Sequence, residues 1–191
     1  MKLTLASYRN NIFGFPNAHY LAENGTNVNM GLLDQRMALE WIRENIGAFG
    51  GDASRIIIWG QSSGSASTDF YNYAYPEDPI IAGLIQHSGS VFATGVSVDM
   101  KQKNFTFVAQ NLGCANLTAA DEFRCMQSNV TAEAIIDFYW TYNLNHSTDQ
   151  LEWTTVTDNV TKWDDYTARA YIGNYTKLVG KNNVSGHLIR P

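Results

Sequence analysis

The chain has 191 residues, of which 45% are hydrophobic and 13% aromatic, and its formal net charge is −5. This length and composition suit one globular domain with a buried core and exclude an intrinsically disordered chain. The mild acidity and the scattered basic residues argue against nucleic acid as a partner. No apolar run approaches the ~20 residues that a membrane-spanning helix needs, so we expect no membrane span.

The N-terminal part predicts a strand, a loop and a helix. Lys2–Ser7 alternates weakly and predicts a strand, and Asn10–Asn29 is rich in Asn, Gly and Pro and predicts a long loop. Gly31–Ile46 carries apolar residues at helical spacing, which predicts an amphipathic helix. The first residues contain one lysine and a short apolar stretch without a small-residue cleavage site, so we expect no signal peptide in this chain.

The middle of the chain predicts a βαβ arrangement. Arg55–Trp59 is an apolar run rich in β-branched residues, which is typical of a buried parallel strand. Ser62 to about Tyr75 predicts a helix, and Ile80–Gln86 predicts a further strand. This alternation indicates a doubly wound α/β sheet. The second half predicts helices at Asn104–Asn145, mixed structure at Trp153–Tyr175 and a short strand at 178–180.

The segment from Gly60 to Gly64 reads G-x-S-x-G directly after the apolar strand. In that context the serine, Ser62, lies on a sharp turn from strand to helix and projects its hydroxyl out of the sheet. The two glycines leave room for the turn and for the helix behind it. The N–H group of Ser63 then points at the oxyanion that forms when Ser62 attacks a carbonyl group. The motif predicts an acyl-transfer nucleophile.

Sequons and cysteines indicate a parent protein outside the cytosol. The chain has 18 asparagines, and many more of them begin an N-x-S/T sequon than chance predicts from 27 serines and threonines. Cys114 and Cys125 are the only cysteines; in an oxidising compartment they would close a short loop, whereas the alternative is two unrelated buried thiols. The candidate glycosylation sites are Asn24, Asn104, Asn116, Asn129, Asn145, Asn159, Asn174 and Asn183.

Three segments together resemble one family. The run GLLDQRMALEWIRENIGAFGGDASRIIIWGQSSG at Gly31–Gly64 is similar to the central part of the type-B carboxylesterases, the cholinesterase and fungal lipase group of the α/β-hydrolase fold. SYRNNIFGF at Ser7–Phe15 resembles the strand and turn that precede it there, and GLIQHSGS at Gly83–Ser90 resembles the strand after the nucleophile helix. The resemblance implies a partial α/β-hydrolase with a mostly parallel sheet and a helical second half. Residues 1–90 would form the nucleophile-bearing core, and residues 91–191 a helical region with a disulfide loop that ends near the triad-acid strand.

The resemblance assigns roles to individual residues. Ser62 is the nucleophile, and Ser63 supplies one oxyanion-binding N–H group. Ser88 matches a serine that supports the triad acid, and the alternative for Ser88 is a cap on a turn.

Two further pairs follow from the resemblance. Arg9 and Asp34 match a structural ion pair that ties the long loop to the helix. The family has a short disulfide loop at this distance past the serine, which implies that Cys114 pairs with Cys125.

The rest of a catalytic triad is not recognisable in the chain. A serine hydrolase needs a histidine base and a carboxylate that orients it, and this family has them in the order Ser, Glu, His. The position that matches the glutamate is Ser185, which cannot carry a negative charge. His187 lies too close to that position, His87 is expected to be a polar turn residue, and His19 and His146 lack a motif. The glycine-rich oxyanion loop would precede the first strand. We therefore expect this chain by itself to be inactive.

The resemblance implies a carboxylic ester hydrolase that acts on a small-molecule ester, needs no metal or organic cofactor, and is secreted as a full-length parent with N-glycans. The alternative is a non-catalytic cholinesterase-like glycoprotein with a binding or adhesion role. Ser185 favours that alternative, and the intact G-x-S-x-G motif disfavours it. An α/β domain with an accidental motif would leave the helix match and the cysteine pair unexplained.

Overall fold

The computed structural model describes residues 1–24, 28–93, 99 and 102–178. They form a two-stranded parallel sheet and a set of helices, which confirms the α/β class. The elements in chain order are α1 (Asn11–Gly14), α2 (His19–Glu23), α3 (Met30–Asn45), β1 (Ile57–Gln61), α4 (Ser63–Ala74), β2 (Gly83–His87), α5 (Lys103–Asn111), α6 (Ala119–Asn129), α7 (Ala132–Asn145) and α8 (Tyr166–Ile172). The chain divides into two compact units, the first comprising Met1–Ala6, Arg36–Thr94 and Asp165–Pro191 and the second Ser7–Gln35 and Gly95–Asp164.

The first unit contains the predicted βαβ arrangement. β1 and β2 are parallel and pair from Ile57 opposite Gly83 to Gln61 opposite His87, and α4 connects them and packs on both. Both strands begin later than the sequence predicted. The reason at β1 is local, since the Asp52 side chain accepts a hydrogen bond from the Ser54 N–H group and caps a 3₁₀ turn at Ala53–Arg55.

One face of this sheet is exposed, so the prediction of a strand buried on both faces was wrong for the described residues. Exposure alternates along β1, and Ile57 and Trp59 are 59% and 62% exposed. Ile85 of β2 is 45% exposed. Successive strand residues point to opposite faces, and α4 covers only one of them.

Helix α3 confirms the helix predicted at Gly31–Ile46. In the first unit, Leu39 on the apolar side of α3 packs in a small core with Ile56, Tyr71 and Ile81. Burial of such side chains from water is the main favourable term in folding.

A partly buried arginine on α3, Arg36, organises the polar side of the same contact. The Arg36 guanidinium donates to Glu40 Oε1 at 2.7 Å, to Tyr71 Oη at 2.8 Å and to the Asp78 carbonyl oxygen at 2.6 Å. It also lies 4.5 Å from the centroid of the Tyr75 ring, within cation–π range. Burial raises the pKa of Tyr71 to about 12.

Two expectations for the N-terminal part were wrong. Lys2–Ser7 forms no strand, and every residue from 1 to 10 is exposed. A strand needs a neighbour for its hydrogen bonds, and the described sheet consists of β1 and β2. The long loop predicted at Asn10–Asn29 contains α1 and α2. The Asn10 side chain accepts from the Asn11 N–H group and caps α1, so a residue typical of loops begins a helix.

The helices predicted at Asn104–Asn145 are present in the second unit as α5, α6 and α7. α5, α6 and α7 enclose a core with α1 and α2. The buried residues of this core include Ile12, Phe105, Val108, Met126 and Ile135. Cys114 and Cys125 form the disulfide that the resemblance implied, with an S–S distance of 2.00 Å and a Cα–Cα distance of 5.9 Å. The mixed structure predicted at Trp153–Tyr175 includes α8, and the strand predicted at 178–180 lies largely outside the described residues.

Two polar contacts join α3 to its surroundings within the second unit. Arg9 Nη2 lies 2.6 Å from Asp34 Oδ1, and Arg9 Nε and the Arg9 N–H group both donate to Asp34 Oδ2. The Arg9 hydrogen bond holds the pKa of Asp34 below its ordinary value. Asn29, fully buried before α3, donates to the Val156 carbonyl oxygen at 2.8 Å and accepts from the Val156 N–H group at 3.0 Å.

Candidate active site

Ser62 lies between the end of β1 and the start of α4 in a strained backbone conformation. Its φ and ψ angles are 53° and −121°, and the side chain is exposed. A non-glycine residue at positive φ costs free energy that the surrounding structure must supply, and such residues cluster at functional sites. This is the conformation that the G-x-S-x-G motif predicts for a nucleophile.

Gly60 makes the turn possible. A β-carbon on Gly60 would collide with the carbonyl group of Gly64 and would lie 2.6 Å from the Ser65 nitrogen. Gly64 differs from the sequence expectation, because a β-carbon there would meet no described atom within 4 Å. The described chain therefore requires a glycine at position 60 and has room for a side chain at position 64.

The Ser63 N–H group is available to a ligand. Ser63 is the first residue of α4, and the first N–H groups of a helix have no acceptor within the helix. The helix dipole adds partial positive charge at the same place. The role of this N–H group in binding an oxyanion remains a prediction.

The loop after β2 is held against the nucleophile turn. The Ser62 N–H group donates to the His87 carbonyl oxygen at 2.9 Å, which continues the parallel pairing by one residue. Beyond it, the Gly89 backbone approaches the carbonyl group of Ser62 so closely that a β-carbon on Gly89 would collide with it. The turn therefore has backbone contacts on both sides.

Ser88 begins this loop with a φ angle of 61° and an exposed side chain. The support of a triad acid by Ser88 remains a prediction. Ser185, His187 and the Asn183 sequon lie outside the described residues.

No imidazole ring of the described histidines is hydrogen-bonded to the Ser62 hydroxyl. His87 packs edge-on against Trp59 with ring centroids 5.6 Å apart. His146 stacks on Tyr142 at 4.0 Å, and its Nδ1 lies 2.8 Å from the Tyr142 carbonyl oxygen. The Ser62 hydroxyl has no hydrogen-bond partner within the described part of the chain.

Two features are absent from the described residues. These residues contain no group of three or more His, Cys, Asp or Glu side chains that could hold a metal ion. None of their helices is long and apolar enough to cross a membrane.

The residues that sequence reasoning missed are Ser65, Asp69 and Gly89. Ser65 and Asp69 are polar yet 0% and 7% exposed, and both bond to the loop after β2. Their spacing of four residues places them on one face of α4, and this spacing is the only signal in the sequence.

A strand, a strained serine and a helix N-terminus in this order define an α/β-hydrolase nucleophile turn. The model of the Carboxylesterase family matches residues 3–189. The chain therefore belongs to the carboxylesterase family.

Several relatives are similar over most of the chain. Chlorogenic acid esterase of Aspergillus niger is 44% identical over 92% of this chain and 33% of its own length. Secreted lipase 5 of Gibberella zeae is 38% identical over 96% of this chain and 36% of its own length. Cholinesterase 1 of Branchiostoma lanceolatum is 31% identical over 70% of this chain. The chain spans about a third of the length of the first two curated relatives.

Proposed function

We propose that this chain carries the nucleophile of a carboxylic ester hydrolase. The observation that supports the proposal is the positive-φ conformation of Ser62 at the junction of β1 and α4. Ser62 Oγ attacks the ester carbonyl carbon, and the Ser63 N–H group binds the oxyanion that forms. The alcohol leaves, and water then hydrolyses the acyl-Ser62 intermediate to release the acid.

Turnover requires a base and an acid from outside the described residues. The Ser62 hydroxyl has no described hydrogen-bond partner, so no described side chain removes its proton. Loss of triad function lowers turnover by roughly 10⁴-fold or more. Ser185 stands at the triad-acid position and no catalytic histidine is recognisable in the sequence. We therefore propose that residues 1–191 alone turn over esters at least about 10⁴-fold more slowly than a gene product with a complete triad.

The proposed substrate is a small-molecule carboxylic ester. The relatives' names, chlorogenic acid esterase and secreted lipase, suggest two classes of ester substrate. These are an ester of a phenolic acid and an acylglycerol. The phenolic acid ester is the first to test, because the chlorogenic acid esterase is 44% identical to this chain over the matched region.

The proposal is tested by hydrolysis of chlorogenic acid and of tributyrin by the gene product that carries this chain. We expect one of them to be hydrolysed and the activity to be lost in Ser62→Ala. A folded gene product that hydrolyses neither ester would contradict the proposal. It would favour the non-catalytic glycoprotein, for which the serine at position 185 is the supporting observation.

We also propose that the parent protein is secreted and carries N-glycans. The names of two relatives as secreted lipases, the disulfide and the excess of sequons support this. The test is the presence of the protein in the culture medium and a loss of mass after glycosidase treatment.

A further inference from the structure

Two buried polar side chains of α4 hold the loop that follows β2. Ser65 Oγ donates to the Gly89 carbonyl oxygen at 2.7 Å. One turn later, Asp69 Oδ2 accepts from the Val91 N–H group at 2.9 Å. The loop is thus bound to α4 through one of its carbonyl groups and one of its N–H groups. A third hydrogen bond runs from the Ser62 N–H group to the carbonyl oxygen of His87, the last residue of β2.

Burial makes these two contacts specific. Ser65 is fully buried and Asp69 is 7% exposed, and a buried polar group is costly unless it is hydrogen-bonded. Any displacement of the loop along α4 would leave both side chains without their acceptor and donor. The pair therefore fixes the position of the loop along the helix, which an apolar pair of similar size would not do.

The loop lies directly against the strained serine. A β-carbon on Gly89 would collide with the Ser62 carbonyl group and would lie 3.1 Å from the Ser65 β-carbon. A residue keeps a sparsely populated backbone conformation only when contacts with the surrounding structure hold it there. The Ser62 conformation has this support from Gly89, whose own position is held by Ser65.

We propose that Ser65 and Asp69 are positioning residues for the nucleophile. They hold the 88–91 loop on α4, and the loop in turn holds Ser62 at positive φ with its hydroxyl directed to the substrate. This inference rests on the proposed function of Ser62 and adds two residues that act through the loop rather than on the substrate.

The test measures phosphonylation of Ser62 by a fluorophosphonate probe in the gene product that carries this chain. We expect Ser65→Ala and Asp69→Ala to lower the rate constant of the bond-forming step about tenfold each, with the affinity for the probe unchanged. Asp69→Asn keeps an acceptor oxygen for the Val91 N–H group and should recover most of the rate.

The matched control is Thr68→Val on the same helix. Thr68 is 7% exposed, and its Oγ1 donates to the Ser65 carbonyl oxygen at 2.8 Å, so this variant also loses a buried hydroxyl and its hydrogen bond. Its bond does not reach the loop. A rate loss in Ser65→Ala that is no larger than in Thr68→Val, or a loss that appears only in the affinity for the probe, would overturn the proposal.

Hydrogen exchange separates this proposal from the proposed function. If the unmodified protein does not react with the probe, the proposed nucleophile role of Ser62 is wrong. The hydrogen-exchange rates of the Ser62 and Val91 amides then test the positioning role of Ser65 separately. Exchange about tenfold faster in Ser65→Ala than in Thr68→Val supports the positioning role. Equal exchange in the two variants overturns it.

Discussion

Gly60 and Gly64 contact each other through the main chain around Ser62, because a β-carbon on Gly60 would occupy the space of the Gly64 carbonyl group. The contact is one-sided, since a β-carbon on Gly64 would meet no described atom within 4 Å. The two glycines of one motif are therefore under different constraints.

The first prediction follows from this asymmetry. Gly60→Ala should destabilise the fold by about 3 kcal/mol or more, because the collision involves backbone atoms that cannot move aside. Gly64→Ala replaces a glycine in the first turn of α4 and should leave stability unchanged or raise it by up to about 1 kcal/mol. Urea unfolding of both variants measures the difference. Equal destabilisation by the two substitutions would contradict the backbone contact.

The second prediction concerns the disulfide between Cys114 and Cys125. Its reduction should lower the free energy of unfolding by roughly 3 kcal/mol, because it closes a loop of about eleven residues in the unfolded chain. Neither cysteine should react with a thiol reagent in the native protein until a reductant is added. The double variant Cys114→Ala/Cys125→Ala is the control, and its stability should not respond to reductant. Labelling of either cysteine in the native protein before a reductant is added would contradict the pairing.

The third prediction is a stability change at alkaline pH. The pKa of Tyr71 is raised by burial from 10.0 to about 12, so the folded state favours the neutral phenol. The stability from this preference is complete below pH 10 and is lost as pH rises through about 12.

Tyr71→Phe isolates this contribution. Near pH 8 the variant should be less stable by about 1 kcal/mol, because Tyr71 Oη donates to the Pro79 carbonyl oxygen at 2.7 Å. Above pH 10 the difference between the two proteins should shrink, since only the unmodified protein has the phenol to ionise. Unfolding midpoints from pH 8 to pH 11.5 test this, and a constant difference would show that the phenol ionises equally in both states.

The fourth prediction is which sequons carry glycan. Asn104 lies in the first turn of α5, half-buried, and its Nδ2 donates to the Glu152 carbonyl oxygen at 3.0 Å. Asn116 and Asn159 are exposed at positive φ in turns. A bulky glycan suits the exposed turns and not the packed helix. We expect Asn116 and Asn159 to be occupied and Asn104 to be unmodified.

Peptide mass spectrometry after deglycosylation in heavy-oxygen water measures the fraction of each sequon that carries a glycan. Asn104→Gln should leave the glycoprotein mass unchanged apart from the substitution, whereas Asn116→Gln should remove one glycan. Full occupancy of Asn104 in folded protein would contradict the placement of its side chain.

The sequence predicted those parts of the fold that depend on local patterns. The α3 helix follows from apolar residues at helical spacing, and the Ser62 turn follows from two glycines and a serine between a strand and a helix. Both patterns lie within neighbouring residues, so they can be recognised without knowledge of distant contacts, although the contact with Gly89 also supports the Ser62 turn.

The errors concern features that depend on distant partners. Lys2–Ser7 has the alternation of a strand but no described neighbour to pair with. Ile57 and Trp59 belong to an apolar run, yet whether both faces of a strand are buried depends on what covers the sheet. Ser65 and Asp69 look like the polar face of a helix in the sequence, and only the loop after β2 reveals them as buried.

The most direct test of the account is intact mass spectrometry of the gene product that carries this chain after exposure to a fluorophosphonate, with Ser62→Ala as the control. The account predicts one adduct per molecule that is absent in the variant, because it proposes Ser62 as the activated nucleophile. A folded protein without an adduct, or an adduct that persists in Ser62→Ala, would contradict it.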